Sequence, residues 1–186
     1  MILKERQEQH KLSISISKLV SLNVRGIRSF EKRKAVFNWL YKSQADICFL
    51  QETYSTPEVV KARKKQWTGD TFFSHGSSHS KGTMILVKEQ FDFKLISSKT
   101  DSLGLYIFLD AEIQDSSFVL LNIYAPNKFA EQCVFCSKLT EDLKDFVTDA
   151  DKSIIVGGTF MSFLTKTLMV EAEIKRERIL CDIWKM

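Results

Sequence analysis

Long apolar runs are missing from this sequence. No segment approaches the roughly 20 consecutive apolar residues that a membrane-spanning helix needs. The first residues, Met1 to Arg6, lack the apolar core of a secretory signal peptide. These absences predict an intracellular protein without a membrane partner, and the nucleus is one candidate compartment.

Proline, cysteine and net charge are also low. With only two prolines, fourteen phenylalanines and 44% hydrophobic residues, the 186-residue chain suffices for one domain with a core and is too short for two. Four cysteines in an intracellular chain indicate free thiols. Cys133 and Cys136 lie inside a predicted helix, which favours buried or partly buried thiols over a redox pair. A formal net charge of +4 permits contact with a polyanion without demonstrating it.

A strand–helix–strand unit opens the predicted domain. Residues 1–12 are charged and without period, so we expect a disordered leader followed by one domain over 13–186. The alternating run from Ser13 leads to Asn23 at the carboxyl end of the first strand. Ser29 can cap the helix that follows, whose predicted solvent face carries Lys32, Arg33 and Lys34.

A buried strand follows this helix and ends in an acidic residue. Residues 46–50 form a nearly unbroken apolar run, and Gln51 and Glu52 come directly after it. Open α/β sheets bind ligands at the carboxyl ends of their strands, so Asn23 and Glu52 could share one site. The simpler reading of Glu52 is a solvated glutamate at a strand end.

The rest of the chain predicts strands, antiparallel hairpins and further helices. Strand-like runs lie at 72–74, 84–87, 91–96, 106–113, 117–124 and 153–156, and helical patterns begin at Thr56 and cover 129–147 and 168–180. A basic cluster at 61–65 is explained most simply as a solvated helix face.

Five short motifs occur in an order that resembles a known family. The chain contains Ser21-Leu22-Asn23-Val24-Arg25-Gly26, Phe49-Leu50-Gln51-Glu52-Thr53, Lys81-Gly82-Thr83, Asn122-Ile123-Tyr124-Ala125-Pro126-Asn127 and Ile155-Val156-Gly157-Gly158. Together they resemble the endonuclease/exonuclease/phosphatase family, and most closely its retrotransposon branch, the apurinic-type endonuclease domains of long interspersed elements. The resemblance implies an α/β fold in which two mixed β-sheets pack as a sandwich flanked by helices, in four layers, incomplete at the C-terminus.

The resemblance also implies roles for individual residues. Glu52 corresponds to the ligand of the divalent cation, normally Mg²⁺, for which a hard oxygen donor is suited. Asn23 corresponds to the asparagine that helps orient the metal-bound groups. Tyr124 corresponds to the tyrosine that contacts the scissile phosphate, and Asn127 lies in the same loop. The implied chemistry is phosphodiester hydrolysis in DNA by an activated water, with no small-molecule cofactor.

Several residues depart from the family pattern. The family has Gly-Gly-Asp-Phe-Asn where this chain has Gly157 to Met161, so Thr159 replaces the aspartate and Met161 the asparagine. The family's terminal Asp-His pair has no counterpart, since the last histidine is His79. A threonine hydroxyl is no base near neutral pH, so we expect a degenerate catalyst. Because the Asp-His pair is missing as well, we expect the domain to be truncated at its C-terminus.

Two functions from different classes therefore stay open. The first is a Mg²⁺-dependent DNA phosphodiester hydrolase of retrotransposon type by descent, with little or no activity. The second is a catalytically dead module that binds nucleic acid or protein, with Arg25 and Arg28 as nucleic-acid contacts.

Overall fold

Two four-stranded β-sheets and two helices make up the described part of the chain, which is residues 18–57, 66–147 and 152–159 of a computed structural model. In chain order the elements are β1 (Leu19–Asn23), α1 (Phe30–Ser43), β2 (Ile47–Gln51), β3 (Thr71–Ser74), β4 (Thr83–Val87), β5 (Phe93–Thr100), β6 (Tyr106–Ile113), β7 (Ser116–Tyr124), α2 (Phe129–Phe146) and β8 (Ser153–Thr159). Neither helix is long and apolar enough to cross a membrane. The leader predicted over 1–12, the basic cluster at 61–65 and the helix predicted over 168–180 lie outside the described residues.

Each sheet is mixed and contains one parallel pair. The first sheet has the order β1-β2-β4-β3, with β1 and β2 parallel and the other pairs antiparallel. The second has the order β5-β6-β7-β8, with β7 and β8 parallel. A helix connects the strands of each parallel pair, α1 in the first sheet and α2 in the second. The carboxyl ends of the two paired strands therefore meet at one edge of each sheet.

The apolar side chains form three clusters that separate four layers. One cluster fills the space between the sheets and includes Phe49, Ile85, Leu109 and Leu120. A second joins α1 to the outer face of the first sheet, and a third joins α2 to the outer face of the second. The side chains of β2 are buried on both faces of the sheet, which is why its residues before Gln51 are all apolar. The expected four-layer α/β sandwich is confirmed.

Helix α1 begins where the sequence predicts, but one of its basic residues is buried. The Ser29 hydroxyl accepts a hydrogen bond from the backbone N–H of Lys32 at 3.2 Å, which caps the helix. Arg33, predicted on the solvent face, is only 3% exposed. Its Nη1 donates to the carbonyl oxygens of Ile27 at 3.1 Å and Arg28 at 2.8 Å. The helical pattern could not show that the preceding loop folds back over this position.

Two other predictions differ from the structure. Strand β5 covers Phe93–Thr100, whereas the apolar pattern predicted 91–96. The second half of β5 has no apolar pattern, and its antiparallel pairing with β6 makes it a strand. Cys136 is buried as expected, but Cys133, one helical turn earlier, is exposed.

Buried amide side chains connect the two sheets at one end of the sandwich. Gln51 Nε2 donates to Asn122 Oδ1 at 2.8 Å, from the end of β2 to β7. Asn122 Nδ2 donates to the carbonyl oxygens of Leu50 at 3.0 Å and Met84 at 2.8 Å. Both side chains are almost fully buried. The pairing satisfies groups that would otherwise be costly to bury.

Replacing Asn122 by leucine should destabilise the fold. The variant Asn122→Leu keeps the number and branching of the side-chain heavy atoms, but it removes an acceptor from Gln51 and a donor from the carbonyls of Leu50 and Met84. Since each unsatisfied buried group costs about 1–3 kcal/mol, we expect a loss of about 3 kcal/mol in the free energy of unfolding. Urea denaturation would measure it. The exposed Asn127→Leu is the matched control, and equal losses in both variants would contradict the prediction.

Candidate active site

The centre of the candidate site is the Glu52 carboxylate, which follows β2. Asn23, the last residue of β1, lies beside it because β1 and β2 are parallel with Asn23 opposite Gln51. Asn23 Nδ2 donates to Glu52 Oε1 at 2.9 Å. Asn23 Oδ1 accepts from the backbone N–H of Arg25 at 3.1 Å, which orients the amide. The two strand ends thus present a carboxylate and an amide at one place.

Tyr124 joins this pair from the second sheet. It is the last residue of β7, and its phenol lies close enough to the Glu52 carboxylate for the two groups to interact. Burial, followed by the hydrogen bond and charge of Glu52, raises the pKa of Tyr124 to about 12. The phenol is therefore protonated near neutral pH and is a hydrogen-bond donor. Asn23, Glu52 and Tyr124, which are far apart in the sequence, meet at one end of the sandwich.

Tyr54 is a further phenol on the same carboxylate. Its hydroxyl donates to Glu52 Oε2 at 3.2 Å. Burial and the charge of Glu52 raise the pKa of Tyr54 above its ordinary value. The sequence-based reading assigned no role to this residue. A signal was available, since an aromatic residue with a hydroxyl stands two positions after the acid, but only the backbone geometry brings the two side chains together.

The loops that carry these residues adopt left-handed backbone conformations. Glu52 has φ 54° and Tyr54 has φ 51°, and in the neighbouring loop Gly26 has φ 82°. The N–H of Gly26 donates to the carbonyl of Glu52 at 2.6 Å. A Cβ at Gly26 would lie 2.6 Å from Cδ2 of Tyr54, so the loop can approach the tyrosine ring only with glycine there.

A neutral polar layer lies beneath the carboxylate. Gln51 Nε2 is 3.2 Å from Ser21 Oγ, which also accepts from the backbone N–H of Gly158 at 2.9 Å. Together with Asn122, these groups connect β1, β2, β7 and β8. Sequence reasoning quoted Gln51 and Asn122 within motifs but gave neither a role. The available signal was an amide inside an otherwise apolar strand run.

Three predicted site residues lie at the rim. Asn127 is exposed in the loop between β7 and α2, and no described hydrogen bond joins its side chain to Glu52. Arg25 and Arg28 are exposed in the loop after β1, where Arg28 Nη1 donates to the carbonyl of Ser78 at 3.2 Å. Thr159 ends β8 directly opposite Tyr124 in the parallel register. The place next to the tyrosine thus carries a hydroxyl.

The donor set of the site is small. Within 18–57, 66–147 and 152–159, no group of three or more His, Cys, Asp or Glu residues could hold a metal ion. Glu52 supplies one carboxylate, and Asn23 supplies one amide. Mg²⁺ is commonly held by only one or two carboxylates, with water and substrate phosphate completing its shell. The residues therefore fit a Mg²⁺ site that depends on a phosphate ligand.

A match to a family model identifies the family of this chain. The model described as the endonuclease/exonuclease/phosphatase family matches residues 20–143, which include Asn23, Glu52 and Tyr124. The chain belongs to this family. Its members generally use divalent metals. The resemblance predicted from the five motifs is confirmed.

A curated relative gives the family match a transposon context. The chain is 29% identical over 149 residues to the Transposon TX1 uncharacterized 149 kDa protein of Xenopus laevis. The match covers 80% of this chain but 11% of that protein. The chain thus corresponds to a small part of the relative.

Solved structures share the fold. The human Nocturnin catalytic domain with bound sulfate has a TM-score of 0.55 and 17% identity, over 83% of this chain and 69% of that one. A family member from Bacteroides thetaiotaomicron has a TM-score of 0.62 and 12% identity, over 82% and 66%. The TDP2 of D. rerio, complexed with a single-strand DNA product, has a TM-score of 0.57 and 17% identity, over 83% and 64%.

Alkaline pH should destabilise the protein through Tyr124. Its pKa is raised in the folded state to about 12 from an ordinary value of 10. Between these values the unfolded chain releases the phenol proton while the folded protein retains it, so the free energy of unfolding falls as pH rises. Below pH 10 this contribution is fully present. Chemical denaturation from pH 9 to 12 should show a shallower fall for Tyr124→Phe than for wild type, and parallel curves would contradict the assignment.

Proposed function

We propose that this chain is, by descent, a Mg²⁺-dependent DNA phosphodiester hydrolase of the retrotransposon type, with little or no remaining hydrolytic activity. The observation that carries the proposal is the Glu52 carboxylate held between Asn23 and Tyr124 at the ends of strands from both sheets. The transposon relative and the DNA-product complex of a structural neighbour support DNA as the substrate class.

The side chains suit separate parts of this chemistry. Glu52 would hold Mg²⁺, which when bound stabilises negative charge on the phosphate and on the leaving oxygen. Asn23 orients the carboxylate through the 2.9 Å hydrogen bond to Oε1. Tyr124, whose raised pKa keeps its phenol protonated, can donate a hydrogen bond to a phosphate oxygen. Asn127 lies in the loop that follows Tyr124 and is free to approach the phosphate from the rim.

The proposed loss of activity rests on the residue at the end of β8. Thr159 lies opposite Tyr124, where a family member carries an aspartate that aligns the attacking water. A hydroxyl cannot accept the proton of that water near neutral pH. A missing general base is worth about 10²- to 10⁴-fold in rate, and the replacement of an asparagine by Met161 removes a phosphate donor in addition.

Restoring both residues should restore nicking. We expect Thr159→Asp combined with Met161→Asn to nick supercoiled plasmid in Mg²⁺ at least about 10²-fold faster than wild type, because the base and the phosphate donor return together. The conversion of supercoiled to open-circular DNA on agarose gels measures the rate.

The control variant adds Glu52→Ala to the restored protein. Nicking that requires this site should disappear in the triple variant and on addition of EDTA. Equal nicking with and without Glu52 would assign the activity to a contaminant and overturn the proposed site. If the folded restored protein does not nick, the family's terminal Asp-His pair, which has no counterpart in this sequence, is required as well.

A second candidate is a catalytically dead module that binds nucleic acid or protein. The observation that favours it is the combination of Thr159 at the base position with exposed Arg25 and Arg28 beside the site. Such a module would contact phosphates through the two arginines and would not hydrolyse the bound nucleic acid. The net charge of +4 is of the sign that this role needs.

Salt dependence tests the nucleic-acid form of this candidate. Each lost phosphate contact reduces the slope of log affinity against log salt by about 1. We expect Arg25→Ala with Arg28→Ala to reduce the slope for duplex DNA by about 2. The matched control is Lys42→Ala with Lys144→Ala, which removes the same charge from the last turns of α1 and α2. Fluorescence anisotropy at several salt concentrations measures both, and equal slopes in the two variants would contradict the arginine contacts.

A further inference from the structure

Both oxygens of Glu52 are occupied by donors that differ in origin. Asn23 Nδ2 donates to Oε1 at 2.9 Å, from the end of β1. The hydroxyl of Tyr54 donates to Oε2 at 3.2 Å, from the same loop as Glu52 itself. The chemistry proposed above uses Asn23 and Tyr124 but gives Tyr54 no task. Its hydroxyl is nevertheless directed at the atom on which the proposed site depends.

The position of Tyr54 is determined by its surroundings. Its backbone N–H donates to the carbonyl of Lys81 at 3.0 Å, and its φ of 51° is left-handed. Its ring covers Gly26, where a Cβ would approach Cδ2 to 2.6 Å. One loop thus fixes the backbone of Tyr54 and another packs against its ring, and together they direct the hydroxyl at Glu52.

We propose that Tyr54 is a positioning residue that, with Asn23, fixes the plane of the Glu52 carboxylate for a divalent cation; this inference rests on the proposed function. Rotation of a glutamate carboxylate about its last bond is otherwise broad. Donors on both oxygens restrict that rotation and direct the remaining acceptor positions outward. Hydrogen-bond partners of metal-ligating carboxylates are typically worth 10- to 100-fold in metal affinity.

The alternative is that the hydroxyl occupies the cation's own place. The two oxygens of a carboxylate offer about four acceptor positions. Asn23 and Tyr54 use two of them, and the phenol of Tyr124 lies beside the same carboxylate. A position is therefore left for a cation without displacing Tyr54, which favours positioning over competition. The two roles predict opposite changes in metal affinity when the hydroxyl is removed.

Tyr54→Phe separates the hydroxyl from the ring. The variant keeps the packing on Gly26 and loses only the donor to Oε2, so we expect Mn²⁺ to bind at least about 10-fold more weakly with little change in the melting temperature of the metal-free protein. Electron paramagnetic resonance of free Mn²⁺ gives the affinity. The matched control is Tyr41→Phe, whose hydroxyl is also hydrogen-bonded, to Thr68, but lies on α1.

The outcomes separate this inference from the function on which it rests. If wild type and Glu52→Gln bind Mn²⁺ equally, the proposed metal site fails and the inference fails with it. If binding requires Glu52 but Tyr54→Phe binds as tightly as wild type, or more tightly, only the positioning role is overturned. Weaker binding in Tyr54→Phe, with Tyr41→Phe unchanged, supports it.

A second measurement observes Tyr54 directly in the wild-type protein. The chain has four tyrosines, so ring-labelled [¹³Cζ]tyrosine gives a spectrum in which Tyr54 is assigned by its loss in Tyr54→Phe. Titration with Mg²⁺ should shift the Tyr54 signal in wild type and leave it unmoved in Glu52→Gln. A Tyr54 signal that ignores Mg²⁺ while Glu52 binds it would overturn the role.

Discussion

The hydrogen bond between Gln51 and Asn122 is the contact on which the geometry of the site depends. It joins the carboxyl end of β2 to β7 across the sandwich, at 2.8 Å between two almost fully buried side chains. Glu52 is the residue after Gln51, and Tyr124 lies two positions after Asn122. Because the amides pair in only one register, the strand ends above them meet in only one way.

The site combines a buried layer of neutral polar side chains with a charged carboxylate that is only half-buried. Gln51, Asn122 and Ser21 are neutral, so they can be buried at the cost of hydrogen bonds alone. The Glu52 carboxylate stays half-buried at the sheet edge, where Asn23 and Tyr54 donate to it and the phenol of Tyr124 lies beside it. The exposed Arg25 and Arg28 lie at the rim of the site, and the carboxylate lies inside it.

Sequence reasoning was right where a residue's environment follows from its own strand or helix. It located the ends of β1 and β2, and so the neighbourhood of Asn23 and Glu52, because parallel strands joined by a helix end at the same edge. It failed where distant segments decide. Arg33 is buried because a loop folds over it, and the second half of β5 exists because β6 pairs with it. Tyr54 reaches Glu52 only because the backbone at both residues is left-handed.

Five ordered motifs were enough to determine the family, and the resemblance that they carry implied the four-layer architecture. Those properties depend on which residue types occur at short spacings along the chain. How closely the phenols of Tyr54 and Tyr124 approach the carboxylate was decided by the tertiary structure. The reason is physical: β7 belongs to the other sheet, and only the buried amide pairing between the sheets sets how closely its end approaches Glu52.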